Sequence, residues 1–268
     1  MRYYPKYIEC MNATDAFVSI YNHLDKGGEI VESRIGRTKH LTNVTICVKD
    51  PYQNVCLDKT RNLSLRYLLG EIDWYLRGSN LVSEIGKYGK MWYDLTDDGK
   101  TVNSAYGYTI FEGVGFDQLE YCIEKLKKNK YDRQAIIHLK TPTDKPTKDV
   151  PCTSTLQFIY FDGKLNLHTY MRSNDIWYGL PYDIAFFMIL LQIVCKRCNF
   201  EIGEYNHTVG DIHLYEKHWN KNVEFSDHTE CWFYDECFDE LKAFLNEEMS
   251  MSDALSELRR INNENSLY

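Results

Sequence analysis

Apolar residues follow two periods along this chain, and the places where one gives way to the other outline its elements. Residues 12–25 keep helical spacing, with Ala16, Phe17, Ile20 and Leu24 on one stripe. Residues 41–48 (LTNVTICV) change to alternation with β-branched side chains and predict a strand. Helical spacing returns over 61–76 and stops at Arg77-Gly78, where glycine ends it. A polar, turn-rich stretch at 95–104 precedes a second amphipathic helix over 116–128, whose closing lysines suit its C-terminal dipole. A short strand at 134–139 leads into a loop at 141–149 with two prolines. Residues 156–161 and 164–171 then flank Asp162-Gly163, a dipeptide favoured in tight hairpins. An apolar helix at 182–198, a turn at Gly203 and a mixed segment to His218 follow, and the tail predicts helices at 234–247 and 252–262. No internal repeat or low-complexity segment interrupts this layout. It implies one α+β domain over 1–268, with a mixed or antiparallel sheet packed with helices.

Composition narrows the setting. Hydrophobic residues make up 44% and charged residues 26% of 268 positions, ordinary for a globular protein. The longest apolar run, Ile184 to Val194, is of core-helix length and falls short of the roughly 20 residues that span a bilayer. The first residues lack the apolar core of a signal peptide, which leaves the cytoplasm, or a host cytoplasm for a viral protein, as the expected location. Nine scattered cysteines, an odd count, read as reduced thiols. Cys195 and Cys198 form a C-x-x-C pair, but an apolar helix with no second pair is a poor zinc site, so no metal is expected. A formal net charge of −8 argues against a general nucleic-acid surface, while a few local arginines still allow a phosphate-bearing small molecule.

The densest chemistry lies between Asp149 and His218, in DVPCTSTLQF, YMRSNDIWYGLPYD and HTVGDIHLYEKH. Singly, each has a bland reading: Cys152 as a small buried hydrophobe, Arg172 as a surface charge, Asp175 as a turn residue, His213 as an ordinary satisfied histidine. Their order and spacing together resemble the thymidylate synthase family from about Ser33 to His218. The resemblance rests on Pro151-Cys152 with Gln157-Phe158, Arg172-Ser173-Asn174-Asp175, Gly179-Leu180-Pro181-Tyr182, and Gly210-Asp211 with His213 and Tyr215. Upstream, Glu71, Trp74, Tyr75 and Leu76 match a further motif, and Ala105-Tyr106-Gly107 another.

That resemblance implies a thymidylate-synthase-like fold, with a sheet face forming a homodimer interface. It implies Cys152 as the nucleophile that adds to C6 of a pyrimidine nucleoside monophosphate, with 5,10-methylenetetrahydrofolate as one-carbon donor. A thiolate suits that addition because it is soft, reversible and reactive when nearby cations lower its pKa. Glu71 and Tyr106 match residues that hold water for proton transfer. Arg172 matches a phosphate ligand beside the nucleophile. Arg133 matches a phosphate arginine lent across the dimer, and Gln134 stands where the family has the second. The N-terminal phosphate arginine is Arg34 or its neighbour Arg37. Ser173 belongs to the substrate segment, His213 and Tyr215 match ribose-binding residues, and Asp175, Trp92 and Gly179 fall on the folate side.

Two departures shape the reading of activity. The family's base-reading asparagine is replaced by Asp183. An ionised carboxylate only accepts hydrogen bonds, so it would oppose O4 of uracil and welcome the 4-amino group of cytosine; a protonated carboxyl or N3 completes the second bond. Mispairing a buried polar contact costs about 1–3 kcal/mol, enough to shift preference ten- to hundredfold. Asp183 could alternatively cap the helix it begins. Deoxycytidylate hydroxymethylases of the same superfamily are similar here in Asp183, in Met171 to Asp175 and in Thr153. The second departure is 219–268, an acidic, helical tail unlike the family's closing lid; without that shield, water could trap the methylene group. The expected function is therefore conversion of dCMP to 5-hydroxymethyl-dCMP. The alternatives are thymidylate synthesis from dUMP, methylation of dCMP or CMP, and a catalytically inactive nucleotide- or RNA-binding relative.

Overall fold

The computed structural model describes residues 6–33, 35–140 and 147–224. Arg34, residues 141–146 of the expected loop and both expected tail helices lie outside them. Among the described residues one mixed sheet is built from β1 (Tyr7–Cys10), β2 (Glu29–Ser33), β3 (Gly36–Val48), β4 (Ile136–His138), β5 (Thr153–Phe161), β6 (Lys164–Asp175) and β7 (Glu201–Tyr215). The helices are α1 (Ala13–Gly27), α2 (Leu65–Leu76), short α3 (Val82–Ile85) and α4 (Trp92–Leu95), α5 (Tyr106–Phe111), α6 (Gln118–Lys128) and α7 (Leu180–Cys198).

Local chemistry explains the joints. Asp162 and Gly163 both have positive φ, 49° and 83°, as a type I′ turn requires, and they join β5 to β6 in register. α1 starts where the Asn12 side chain accepts the Asp15 N–H at 2.9 Å, and α6 where Asp117 accepts that of Glu120 at 2.8 Å. α7 carries the chain from β6 to β7, which run parallel. Its side chains from Ile184 to Cys195 are buried on all sides, so it shows no polar stripe. Full burial of each large one, Phe187 or Leu190 for example, contributes about 1.5–3 kcal/mol. β7 pairs antiparallel with β3, which also holds β1 in parallel and β2 antiparallel; β4 closes the far edge on β5.

The pleat breaks at one level across the sheet's centre. Leu41 and Val44 in β3, Val209 and Ile212 in β7, and Met171 and Asn174 in β6 are all buried, three residues apart instead of two. Asn43 marks the level with φ 54°, and β5 slips register there between Thr153 and Thr155. Such breaks increase local twist and re-aim side chains. Arg172-Ser173 and Gly210-Asp211, two of the matching motif segments, occupy this level.

Several boundaries differ from expectation. The helix predicted over 61–76 begins only at Leu65, after Ser64 accepts the Tyr67 N–H; Arg61 instead donates to the Trp177 carbonyl. Gly203 is no turn, since β7 runs through it unbroken. A Cβ there would overlap the Asn166 amide oxygen on β6, so glycine permits close strand approach. The edge strands β1 and β2 were not predicted, being short and weakly patterned. The seven described cysteines are free, Cys195 and Cys198 included.

Candidate active site

Cys152 immediately precedes β5, and Arg172 on the neighbouring strand is fastened to it. The Arg172 backbone N–H donates to the Cys152 carbonyl at 2.9 Å. Its guanidinium turns back to the carbonyls of Val150 at 2.7 Å and Pro151 at 3.2 Å. Asp149, buried, accepts the backbone N–H and the hydroxyl of Ser104 at 2.7 Å each, which pins the approach to the cysteine. Burial pushes the Cys152 thiol up, and Arg172 only partly offsets this while Asp183 and Asp149 add to it. The expected lowering by a cation is thus outweighed by desolvation in the chain alone.

Glu71, on α2, lies within electrostatic reach of Asp183, as Cys152 does. Tyr67, one turn earlier on the same helix, donates its hydroxyl to Glu71 Oε1 at 2.7 Å, and Trp92 Nε1 donates to Tyr67 Oη at 2.9 Å. Burial pushes the Glu71 carboxyl up to about 8 against the pull of Tyr67, and the charge of Asp183 adds to the rise. Trp92, expected on the folate side, is itself buried and acts behind Tyr67. Tyr106 opens α5, and its hydroxyl accepts the Thr153 N–H at 3.4 Å, next to Cys152. Its ring stacks on Tyr75 at 5.4 Å, and burial, with Asp183 and Cys152 nearby, holds its proton well past the usual phenol range. Gly107 makes this possible: a Cβ there would overlap the Tyr75 carbonyl.

Asp183 stands in the first turn of α7 but does not cap it, for that helix has no side-chain cap. Its Oδ2 accepts instead from Asn174 Nδ2 at 2.8 Å. Burial pushes this carboxyl up to about 7, with Asn174 pulling it down and Asp175 adding to the rise. Asn174 Oδ1 lies 3.2 Å from His207 Nε2, and His207 Nδ1 lies 2.7 Å from the Tyr205 hydroxyl. His207 is fully buried, and desolvation pushes it down to about 3, so it is neutral. Gly179 packs beneath: a Cβ there would stand 2.9 Å from Asn174 Nδ2 and 3.2 Å from Asp183 Oδ2. Its visible part in the site is to leave room for that hydrogen bond.

The remaining expected residues spread outward. Asp175 accepts the N–H groups of Trp177 at 2.8 Å and Tyr178 at 3.4 Å; burial raises its carboxyl, while those bonds and His213 pull it down. His213 stands opposite Asp175 across β6 and β7, edge-on to Tyr215 at 5.3 Å and 3.6 Å from Asp211. Ser173, half-buried, stands opposite Asp211 on the same strands. Arg133 and Gln134 lie at the β4 edge, exposed. There the Arg133 carbonyl accepts from Gln157 and the Gln134 side chain from Lys125, away from the cysteine. Arg37, the alternative to Arg34, pairs with Glu216 at 2.6 Å.

Sequence reading assigned no role to Tyr67, Asn174 or His207. Tyr67 stands four residues before Glu71 on a helix, a spacing that could have exposed it. His207 opens the 207–218 stretch but lies outside any matching motif, and its partner Asn174 is 33 residues away in sequence. Among the described residues no helix is long and apolar enough to cross a membrane, and no cluster of three or more His, Cys, Asp or Glu could hold a metal. A family model described as thymidylate synthase matches residues 15–230, more than half of the chain.

Proposed function

Because the chain belongs to the thymidylate synthase family, we propose that it transfers a one-carbon unit to C5 of a cytidine monophosphate, dCMP foremost, and leaves it there as a hydroxymethyl group. One-carbon transfer from methylenetetrahydrofolate to C5 of a pyrimidine nucleotide is the activity of the family; base and fate of the carbon are the finer reading. What supports that reading is Asp183: a half-buried carboxyl, raised to about 7, in the position where the family's base reader is an asparagine.

In this reading Cys152 Sγ adds to C6 and loses its proton, and the ring electrons move to C5, which bonds the one-carbon unit. Methylenetetrahydrofolate supplies that unit at the oxidation level of formaldehyde. Water held by Glu71 and Tyr106 takes the C5 proton as the bond between the one-carbon unit and the tetrahydrofolate nitrogen breaks, leaving an exocyclic methylene on the pyrimidine. Water adds to this carbon as Cys152 departs, so tetrahydrofolate leaves unoxidised and no reductant is consumed. Arg172 holds the 5′-phosphate and offsets negative charge at the sulfur. Ser173, His213 and Tyr215 hold the sugar and phosphate side, Asp175 the folate ring, and Trp92 and Gly179 act indirectly, through Tyr67 and Asn174. Arg133 and Gln134 would join across a twofold homodimer packed through a sheet face, and Arg34 or Arg37 would be the N-terminal phosphate arginine. We place the whole chain in one catalytic domain working in the cytoplasm.

A second reading, thymidylate synthesis from dUMP, draws on the same carboxyl. Near neutrality Asp183 is partly protonated, and a neutral carboxyl has one donor and one acceptor, which N3–H and O4 of uracil also match. The deciding experiment offers CMP, dCMP, UMP and dUMP with methylenetetrahydrofolate and identifies products by mass. A hydroxymethyl product from dCMP is expected, without a dihydrofolate absorbance rise. Methyl transfer to dUMP with stoichiometric dihydrofolate would overturn the proposal. Absence of any covalent adduct on Cys152 with 5-fluoropyrimidine nucleotides would favour a binding protein instead.

A further inference from the structure

A neutral carboxyl can pair with either pyrimidine, because cytosine and uracil each present one donor and one acceptor on the edge near C4. Cytosine offers its 4-amino group and N3; uracil offers O4 and N3–H. Which base fits depends on which carboxyl oxygen carries the proton. The surroundings of Asp183 are asymmetric in that respect. Oδ2 accepts from Asn174 at 2.8 Å, and no comparable donor meets Oδ1 among the described residues.

The asymmetry is enforced from behind. His207 is fully buried and neutral, so one ring nitrogen donates and the other accepts. In the tautomer where the Tyr205 hydroxyl donates to Nδ1, the ring proton sits on Nε2 and points at Asn174 Oδ1, and the 2.7 Å and 3.2 Å separations fit this arrangement. That tautomer agrees with the Asn174 amide as placed, with its N–H groups towards Asp183 at 2.8 Å. The carbonyl oxygen of an acid accepts better than its hydroxyl oxygen, so a donor at Oδ2 makes Oδ2 the carbonyl and Oδ1 the hydroxyl. Gly179 leaves the space in which the two side chains meet.

We propose that Asn174, held by His207, fixes which oxygen of Asp183 carries the proton and thereby selects the pyrimidine that the site accepts. Both are positioning residues, acting through Asp183. The proposal rests on the base-reading role given to Asp183, but not on which base the protein prefers. The other ionisable groups facing this carboxyl are Glu71 and Tyr75 from α2, Tyr106 from α5, Cys152 ahead of β5, Asp175 from β6 and Tyr205 from β7. None of these donates to Oδ2, so among the described residues the bias comes from Asn174.

The test measures tritium release from 5-labelled dCMP and dUMP, with methylenetetrahydrofolate, at several pH values around neutrality. The proteins are the full chain and its Asn174→Ala, His207→Leu and His207→Gln variants. Loss of the bias is expected to bring the ratio of kcat/KM for the two bases about ten- to hundredfold closer to unity in Asn174→Ala and His207→Leu. His207→Gln keeps an N–H near the same place and is expected to restore most of the ratio. In Asn174→Ala the pH limb set by Asp183 should also move alkaline, since the lost bond favoured the charged form. If Asn174→Ala does not fold, Asn174→Ser carries the same expectation, because its shorter side chain cannot reach Oδ2. Equal losses for both bases, or an unchanged ratio, would overturn the inference. A full chain that prefers dUMP would overturn the cytosine reading alone; a ratio that still collapses in the variants would keep the inference.

Discussion

Burial pushes Cys152, Glu71 and Asp183 all up, yet only Cys152 has a cation beside it, Arg172. Arg172 is exposed, and its guanidinium is tied to the carbonyls of Val150 and Pro151, so a fixed positive charge stands beside the sulfur. Glu71 and Asp183 are enclosed by Tyr67, Tyr75, Tyr106 and Asn174, with no cation bonded to either among the described residues. All three groups are held towards their protonated forms, but at Cys152 a cation draws part of that shift back, while at Glu71 and Asp183 only neutral donors do. The proposed chemistry wants that division, because the sulfur must be able to leave as a thiolate while the carboxyls shuttle and position hydrogen. The arrangement costs stability on the carboxyl side, since a charge forced on a desolvated group is unfavourable.

Substitutions can pull the two sides apart, and the largest effect is expected at Cys152. Cys152→Ala should abolish tritium release from 5-labelled nucleotide while nucleotide binding, measured by calorimetry, persists; appreciable release would remove the covalent step. Next comes Glu71→Gln, which should lower kcat by about 10²–10⁴-fold, the range for a group that moves protons. The same variant should gain stability. Glu71 rises from 4.5 to about 8 on folding, so between those values the folded state holds a proton that the unfolded chain has lost. Its contribution is therefore fully present below about 4.5 and is lost as pH climbs to about 8. Glu71→Gln removes that decline, and at mildly alkaline pH its melting temperature should exceed that of the parent. Each kcal/mol retained is worth about 2–4 °C in a chain of this size. A lower melting temperature at alkaline pH would mean that the carboxylate has a compensating partner.

The same contrast explains how much of the molecule could be read from its sequence. α1, α6, α7 and the β5–β6 hairpin follow from periodicity and from Asp162-Gly163, because local rules decide them. The run at 61–64 reads as helical, yet Arg61 finds the Trp177 carbonyl more than a hundred residues away. Gly203 looks like a turn because glycine usually breaks strands; only the adjacent Asn166 shows that its missing side chain is the point. Motif order picks out Cys152, Arg172, Glu71, Tyr106 and Asp183 as candidates; in the structure Glu71, Tyr106 and Cys152 are each within electrostatic reach of Asp183, and Arg172 of Cys152. Neither the balance of burial against Arg172 at the thiol nor the chain from Tyr205 through His207 and Asn174 was legible. Both depend on strands whose pleat breaks at a shared level, a property of the assembled sheet.

A sharper probe of the carboxyl side is Asp183→Asn. An amide has its donor and acceptor fixed chemically, whereas the carboxyl takes its polarity from Asn174. The exchange should move the dCMP to dUMP ratio of kcat/KM by about ten- to hundredfold in favour of dUMP. Competition between the two labelled nucleotides in one vessel reads this directly. An unmoved ratio would take base reading away from this residue.

The smallest effect, and the most direct check on the thiol side, belongs to Arg172→Lys. Lysine keeps the charge but cannot bond two carbonyls with a planar fork, and its ammonium is compact and strongly hydrated. The cation would then wander from the position fixed at 2.7 Å and 3.2 Å from Val150 and Pro151. Because burial already pushes the Cys152 thiol up and Arg172 is what draws it back, a looser cation should let it rise further. Alkylation by iodoacetamide follows the thiolate, so its pH profile should move to higher pH in the variant, with about a tenfold loss in kcat/KM if one charge-assisted contact is forfeited. Glu71→Gln gives the contrast: it alters the carboxyl side and should leave the alkylation profile near that of the parent. Were both variants to shift that profile equally, the two sides would share one electrostatic unit, and the division between a side with a cation and a side without one would dissolve.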